Sequence, residues 1–245
     1  MSALVITAIG LFILSVVSGM LGLGVAFSAV PFLGLFLPDL VHQVQPLSLL
    51  LNGITALFAV FGFARSRLVD WRKAITLALI TTLTAPAGAW LVQYVDQVYV
   101  WFAYLASVLY LSYRLFRPVQ ERPGNENFRL ALILAVPISV LSGFLGIGPG
   151  FLLMPTLILV GFNTKMAAGI NAFAVCPPSF SSLIPHIGTA RWNPTLTVTL
   201  LIVGAVGSFI GARLTSLYVP SGRLKQLFGV LIVIMTAYKI ITLFR

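Results

Sequence analysis

Apolar residues run almost unbroken along this chain, punctuated by glycines, prolines and basic residues. The apolar stretches fall at roughly 3–21, 25–37, 44–64, 73–92 and 98–116, then at 129–145, 149–161, 166–187, 194–216 and 223–244. A run of about 20 apolar residues is long enough to cross the hydrocarbon core of a bilayer. The runs 25–37 and 149–161 are shorter, about 20 Å at a helical rise of ~1.5 Å per residue. They are predicted to be half-helices that re-enter or break within the membrane, each entered through a glycine-rich turn. The pattern predicts an all-α polytopic membrane protein.

Composition supports this reading. Hydrophobic residues make up 59% of the 245 and charged residues only 8%, too little charge to cover a soluble domain. No cleavable signal peptide is expected, since the first apolar run lacks a basic flank and a small-residue cleavage site. A net charge of +10 suggests nucleic acid at first sight. The basic residues, however, stand at the ends of apolar segments rather than in one hydrophilic patch, which argues for topology and against a nucleic-acid partner. The single cysteine, Cys176, excludes an intrachain disulfide and thiolate metal clusters. All five carboxylates lie outside the apolar runs or at their edges, which argues against carboxylate-pair chemistry within the bilayer. No cofactor or metal is expected.

The basic residues also orient the chain. Arg65, Arg67, Arg72, Lys73, Arg114, Arg117, Arg122, Arg129, Lys165, Arg213, Arg223 and Lys225 share one side if each half crosses an odd number of times. Arg191, Lys239 and Arg245 are left on the other. The positive-inside rule then places both termini outside and the linker 117–128 in the cytoplasm, with the protein in the inner (plasma) membrane.

The chain repeats itself. Residues 14–33 (LSVVSGMLGLGVAFSAVPFL) and 138–157 (ISVLSGFLGIGPGFLLMPTL) match at ten of twenty positions at a shift of 124, where chance would give about two or three. Weaker echoes pair Trp71 with Trp192, Gly88-Ala89 with Gly211-Ala212, and Tyr113-Arg114 with Tyr238-Lys239. This predicts two repeats, 1–116 and 129–245, of about five segments each. An odd number of crossings makes them inverted relative to one another. Paired broken helices in inverted repeats point to a transporter with its site near the midplane.

The two motifs, Gly19-x-x-Gly22-x-Gly24 and Gly143-x-x-Gly146-x-Gly148-x-Gly150, sit between a long and a short helix. A turn that opens a half-helix exposes N–H groups with no intrahelical partner. With the positive helix end, these make an anion site that needs no basic side chain. Candidate contacts are therefore Gly22, Gly24, Val25 and Ala26 in the first turn and Gly146, Gly148, Gly150 and Phe151 in the second. Pro149 suits the start of a half-helix but has no N–H to offer. The competing reading is helix packing through small residues. A dinucleotide fingerprint does not apply, because no strand precedes the glycines.

Polar side chains in the apolar runs supply further candidates. Ser48 and Asn171 stand at nearly corresponding places in the third segment of each half, with Asn52 one turn beyond Ser48. Ser179, Ser181 and Ser182 follow a predicted break at Pro177-Pro178. Asparagines in the bilayer either bond a neighbouring helix or contact substrate. Arg213 is read as snorkelling to the headgroups. His42 and His186 are the proton-coupling candidates by residue type, both expected near the outer surface as hydrogen-bonded interfacial residues. Trp71, Trp90, Trp101 and Trp192 read as interface anchors.

At its duplicated G-x-x-G-x-G…P-x-L blocks, its Asp70-Trp71 and Arg191-Trp192 pairs and its Gly-Ala pairs, the chain resembles the sulfite exporter TauE/SafE family, also described as four-toluene sulfonate uptake permeases. The likeness spans the full chain. It implies transport, often export, of sulfite, sulfonates or related sulfur-containing organic anions. Carried onto this sequence, it points to the backbones of Gly22, Gly24, Gly146 and Gly148. The half-helix starts Val25, Ala26, Pro149 and Gly150 adjoin them, and Gly150 and Phe151 would be the donors of the second half.

The leading expectation is a secondary carrier, coupled to a proton or sodium gradient, with a homo-oligomer possible. A passive anion channel would use the same backbone donors. An intramembrane enzyme needs a nucleophile–base pair or metal cluster, and the sequence has no GxSxG, no HExxH and no intramembrane carboxylate pair.

Overall fold

The structure is a computed structural model that describes residues 3–115, 126–219 and 234. Most of the linker, the tenth apolar run at 223–244 and the Tyr238-Lys239 echo lie outside the described residues. Every regular element among the described residues is helical. They are α1 (Ala3–Leu21), α2 (Ala26–Leu33), α3 (Gln45–Ala64), α4 (Trp71–Leu91), α5 (Gln97–Leu115), α6 (Phe128–Leu145), α7 (Gly150–Leu159), α8 (Thr164–Leu183) and α9 (Pro194–Leu217). Among the described residues, six helical stretches are long and apolar enough to cross a membrane: Leu4–Leu21, Leu40–Ala64, Trp71–Tyr94, Phe128–Leu145, Thr164–His186 and Pro194–Leu217. The chain is a multi-pass membrane protein.

Local chemistry sets the helix starts. Asp70, Asn127, Asn163 and Asn193 cap α4, α6, α8 and α9, each accepting a backbone N–H from the first turn. Such caps satisfy donors that bilayer lipid could not. The predicted break at Pro177-Pro178 does not occur, and α8 runs through both prolines. Pro178 cannot donate to the carbonyl of Ala174, and the Thr81 hydroxyl of α4 donates to that carbonyl instead, at 3.2 Å. A neighbouring helix thus supplies the donor that proline removes.

The long helices form two trios that exchange members between the halves. Helices α1 and α3 both pack on α9; α6 and α8 both pack on α4; the trios meet where α3 lies on α8. Gly204 of α9 lies at Leu11 and Ser15 of α1, Gly207 at Phe12, Ser208 at Gly19, and Gly211 at Val16 and Met20. The order ascends on both helices, so α1 and α9 run in the same direction. On α3, Thr55 meets Gly204 and Ser208, and Gly62 meets Ala212; just beyond it Ser66 meets Arg213, so α3 runs with them. Helices α4 and α8 run together, with Trp71 against Phe173, Thr81 bonded to Ala174, Thr82 to Ser181 and, just past their ends, Gln93 to Pro185. Asn52 on Ser179 and Ala56 beside Val175 set α8 opposite to α3.

Backbone contact through glycine holds each trio. A Cβ on Gly211 would collide with the carbonyl of Val16, and one on Gly88 with the carbonyl of Val140, sixteen and 140 being equivalent in the repeat. Likewise a Cβ on Gly19 would strike Ser208, and one on Gly143 would strike Ala85. The first glycine of each motif and the Gly-Ala pairs therefore serve close helix packing. Only the later glycines make the turns.

Candidate functional site

Both glycine turns close in the same way. Gly22 N–H donates to Gly19 O and Leu23 N–H to Ser18 O; Gly146 N–H donates to Gly143 O and Ile147 N–H to Ser142 O, all at 3.1 Å. This is the Schellman arrangement, with a left-handed residue just past the helix. Gly22 and Gly146 have φ of 63° and 68°, and Gly24 and Gly148 φ of 69° and 68°. The chain then enters α2 at Ala26 and α7 at Gly150. All of these residues are buried. The rings of Phe27 and Phe151, equivalent positions of the repeat, stack at the meeting of the half-helices with centroids 4.7 Å apart.

Two asparagines staple the turns together. Asn52 is the eighth residue of α3 and Asn171 the eighth of α8. They, rather than Ser48 and Asn171, are the equivalent pair. The connection before α3 (34–44) is longer than that before α8 (160–163), which displaces the correspondence from the 124-residue shift. Asn52 lies against both turns, because a Cβ on either Gly24 or Gly148 would collide with its amide. Its Nδ2 donates to Ser179 Oγ at 2.8 Å. Asn171 Nδ2 donates to Gly22 O at 2.7 Å and to Gly150 O at 3.3 Å, so it too joins the first turn to the second.

In the first turn two of the expected N–H groups are occupied: Val25 N–H donates to Thr55 Oγ1 at 3.1 Å and Ala26 N–H to Asn52 Oδ1 at 2.9 Å, whereas Gly24 and Phe27 N–H find no acceptor among the described residues. Val25 and Ala26 therefore have no free donor in this conformation, a correction to the expectation from sequence. In the second turn, Gly150 and Phe151 N–H find no acceptor among the described residues. Asn171 Oδ1 is buried and also unpartnered. Ser48 is buried with its hydroxyl unpartnered, and no bond ties it to either turn. Thr55 and the stacking of Phe27 on Phe151 escaped the sequence reading, which took Phe151 only as a backbone donor; the repetition of Phe27 as Phe151 was the available signal.

Charge lies at the rims. Lys73 Nζ is 3.4 Å from Asp70 and 3.8 Å from Glu126 and sits over the Phe162 ring, tying the start of α4 to that of α6 and to the α7–α8 connection. At the other end, His42 pairs with Asp39 at 3.0 Å, and its carbonyl accepts Arg191 N–H at 2.7 Å. Burial alone would raise the Asp39 carboxyl. The backbone N–H and ring of His42, with the Arg191 charge, outweigh this and hold it below the usual carboxylate range. His186 is fully buried, with its ring against the Val41 backbone but no bond of full hydrogen-bond geometry to either ring nitrogen, so it lies deeper than the interfacial histidine expected from sequence. Arg213 donates to Ser66 Oγ at 3.3 Å. Trp71, Trp90 and Trp192 are exposed, as anchors require, whereas Trp101 packs edge-on against buried Tyr104.

The comparisons agree with this architecture. A family model described as Sulfite exporter TauE/SafE matches residues 6–239. A probable membrane transporter protein of Xylella fastidiosa (strain Temecula1 / ATCC 700964) is 29% identical over 241 residues, covering 91% of this chain and 89% of the relative. The probable membrane transporter protein YdhB of Bacillus subtilis (strain 168) is 23% identical over 217 residues, covering 84% and 88%. No solved structure gives a significant match.

Proposed function

We propose, because this chain belongs to the Sulfite exporter TauE/SafE family of membrane transporters, that it is a secondary carrier for a small anion such as sulfite or an organosulfonate. The anion sits near the midplane between repeats 1–116 and 129–245, at the junction of the glycine turns. The observation that carries this reading is the pair of buried, unpartnered N–H groups at the start of α7, Gly150 and Phe151. They lie at the positive end of a helix, where an anion is favoured without a basic side chain.

The directions of the helices support an inverted pair. Helices α1 and α3 of the first repeat run with α9, whereas α8 of the second runs with α4. In this arrangement the repeats can rock about a shared site to expose it alternately on each face. The charge distribution supports outside termini, a cytoplasmic linker 117–128 and residence in the inner membrane; export as the direction of transport rests on the family's description.

Thermal unfolding of the purified protein with sulfite, sulfate, sulfonates and carboxylates tests the substrate class. A ligand that binds only the folded state raises the melting temperature. Sulfur oxyanions are expected to raise it and carboxylates to leave it unchanged. A response to carboxylates alone contradicts the proposal.

A further inference from the structure

The two equivalent asparagines are used differently. In the first half, the amide oxygen of Asn52 accepts Ala26 N–H. In the second half the matching bond, Gly150 N–H to Asn171 Oδ1, is absent. Its donor and its acceptor are both present, buried and open. The Asn171 amide nonetheless lies against Gly150, with Nδ2 3.3 Å from that residue's carbonyl. A buried polar group without a partner is costly, and this acceptor belongs to the same side-chain amide whose nitrogen contacts Gly150. The groups around Gly150 are neutral: the Leu23 carbonyl, the Val175 side chain and the Asn171 amide.

Counting donors and acceptors defines what completes this site. Gly150 and Phe151 N–H, at a positive helix end, call for oxygens that carry negative charge. Asn171 Oδ1 can only accept, so the ligand must also present a proton. We infer that the second turn binds a singly protonated oxyanion, with its acceptor oxygens on Gly150 and Phe151 N–H and its O–H donated to Asn171 Oδ1. The inference rests on the anion-carrier reading. A fully deprotonated dianion meets the lone pairs of Oδ1 and brings a second charge into a buried site with no cation to balance it. In the first turn the position matching Gly150 is already closed, because Asn52 Oδ1 accepts Ala26 N–H and Thr55 Oγ1 accepts Val25 N–H. The translocated proton then travels on the substrate, and coupling to a pH gradient needs no titratable side chain at the centre.

The test uses the purified full chain and two probes, sulfite and methanesulfonate. Methanesulfonate is a monoanion with three acceptor oxygens, a methyl group on sulfur and no O–H to donate. Affinity is measured by calorimetry at a pH below and a pH above the loss of sulfite's last proton. Sulfite affinity is expected to fall roughly tenfold per pH unit above that point, as the competent species is depleted. Methanesulfonate should bind about tenfold or more weakly than protonated sulfite, because it leaves Oδ1 unpaired, and its affinity should not change with pH. Asn171→Leu should remove the preference for sulfite. The wild-type comparison stands without that variant if it fails to fold. Equal sulfite affinity at both pH values, or methanesulfonate bound as tightly, overturns the inference and leaves the anion carrier standing. Absence of binding by either probe at both pH values overturns both.

Discussion

Phe27 and Phe151 occupy equivalent positions of the repeat, and their rings stack at 4.7 Å between centroids and 15° between planes. Each belongs to the first turn of its half-helix, so the stack couples the two elements that carry the candidate site. Replacing each ring by leucine, singly and together, should reveal a coupling of about 1 kcal/mol in a double-mutant cycle. Reversible unfolding in mixed micelles measures it. Additive single effects would mean that the rings meet without supporting one another.

Gly24→Val and Gly148→Val combine an unfavourable left-handed conformation with a collision against Asn52. Both should abolish transport while membrane insertion, read by protease accessibility, stays normal. Full activity in both variants removes the glycine turns from the site.

Asn52→Ala leaves Ala26 N–H without its acceptor and removes one donor from Ser179 Oγ, which keeps its own bond to the Val175 carbonyl. The cost should be about 1–3 kcal/mol for the group left unsatisfied, seen as a lowered unfolding midpoint. Unchanged stability would show that water or another side chain takes over the cap.

Gly88→Ala and Gly211→Ala place a methyl group against the Val140 and Val16 carbonyls, away from the turns. Each should destabilise the protein by about 1–3 kcal/mol through overpacking. The substrate KM of the folded fraction should remain that of the parent.

Asp39 supplies a pH dependence. Its carboxyl is held low in the folded protein, so the stability it contributes is present above its unfolded pKa and lost as pH falls through the folded value. Melting temperature followed into acid should drop less steeply for Asp39→Asn than for the parent. Parallel curves would remove Asp39 from the acid response.

Much of the architecture is written in local pattern. Apolar run length marks the long helices, and the repeated Gly22–Gly24 and Gly146–Gly148 spacings mark turns that adopt positive φ at those glycines. Sequence cannot show where a side chain from a distant helix lands. Asn52 reaches Ala26 across 26 residues and Ser179 across 127, which closes Ala26 N–H while the matching Gly150 N–H has no such cap. The unequal connections before α3 and α8 also hide the equivalence of Asn52 and Asn171 from a search at one fixed shift. Of the carbonyls freed by Pro177 and Pro178, that of Ala174 meets the Thr81 hydroxyl of another helix, information that the proline pair itself does not carry.

Counterflow in proteoliposomes tests the carrier claim most directly. Vesicles loaded with unlabelled sulfite should accelerate entry of labelled sulfite, because a carrier returns faster with its site occupied. Conductive sulfite flux with no trans-acceleration would contradict the account and show a passive channel.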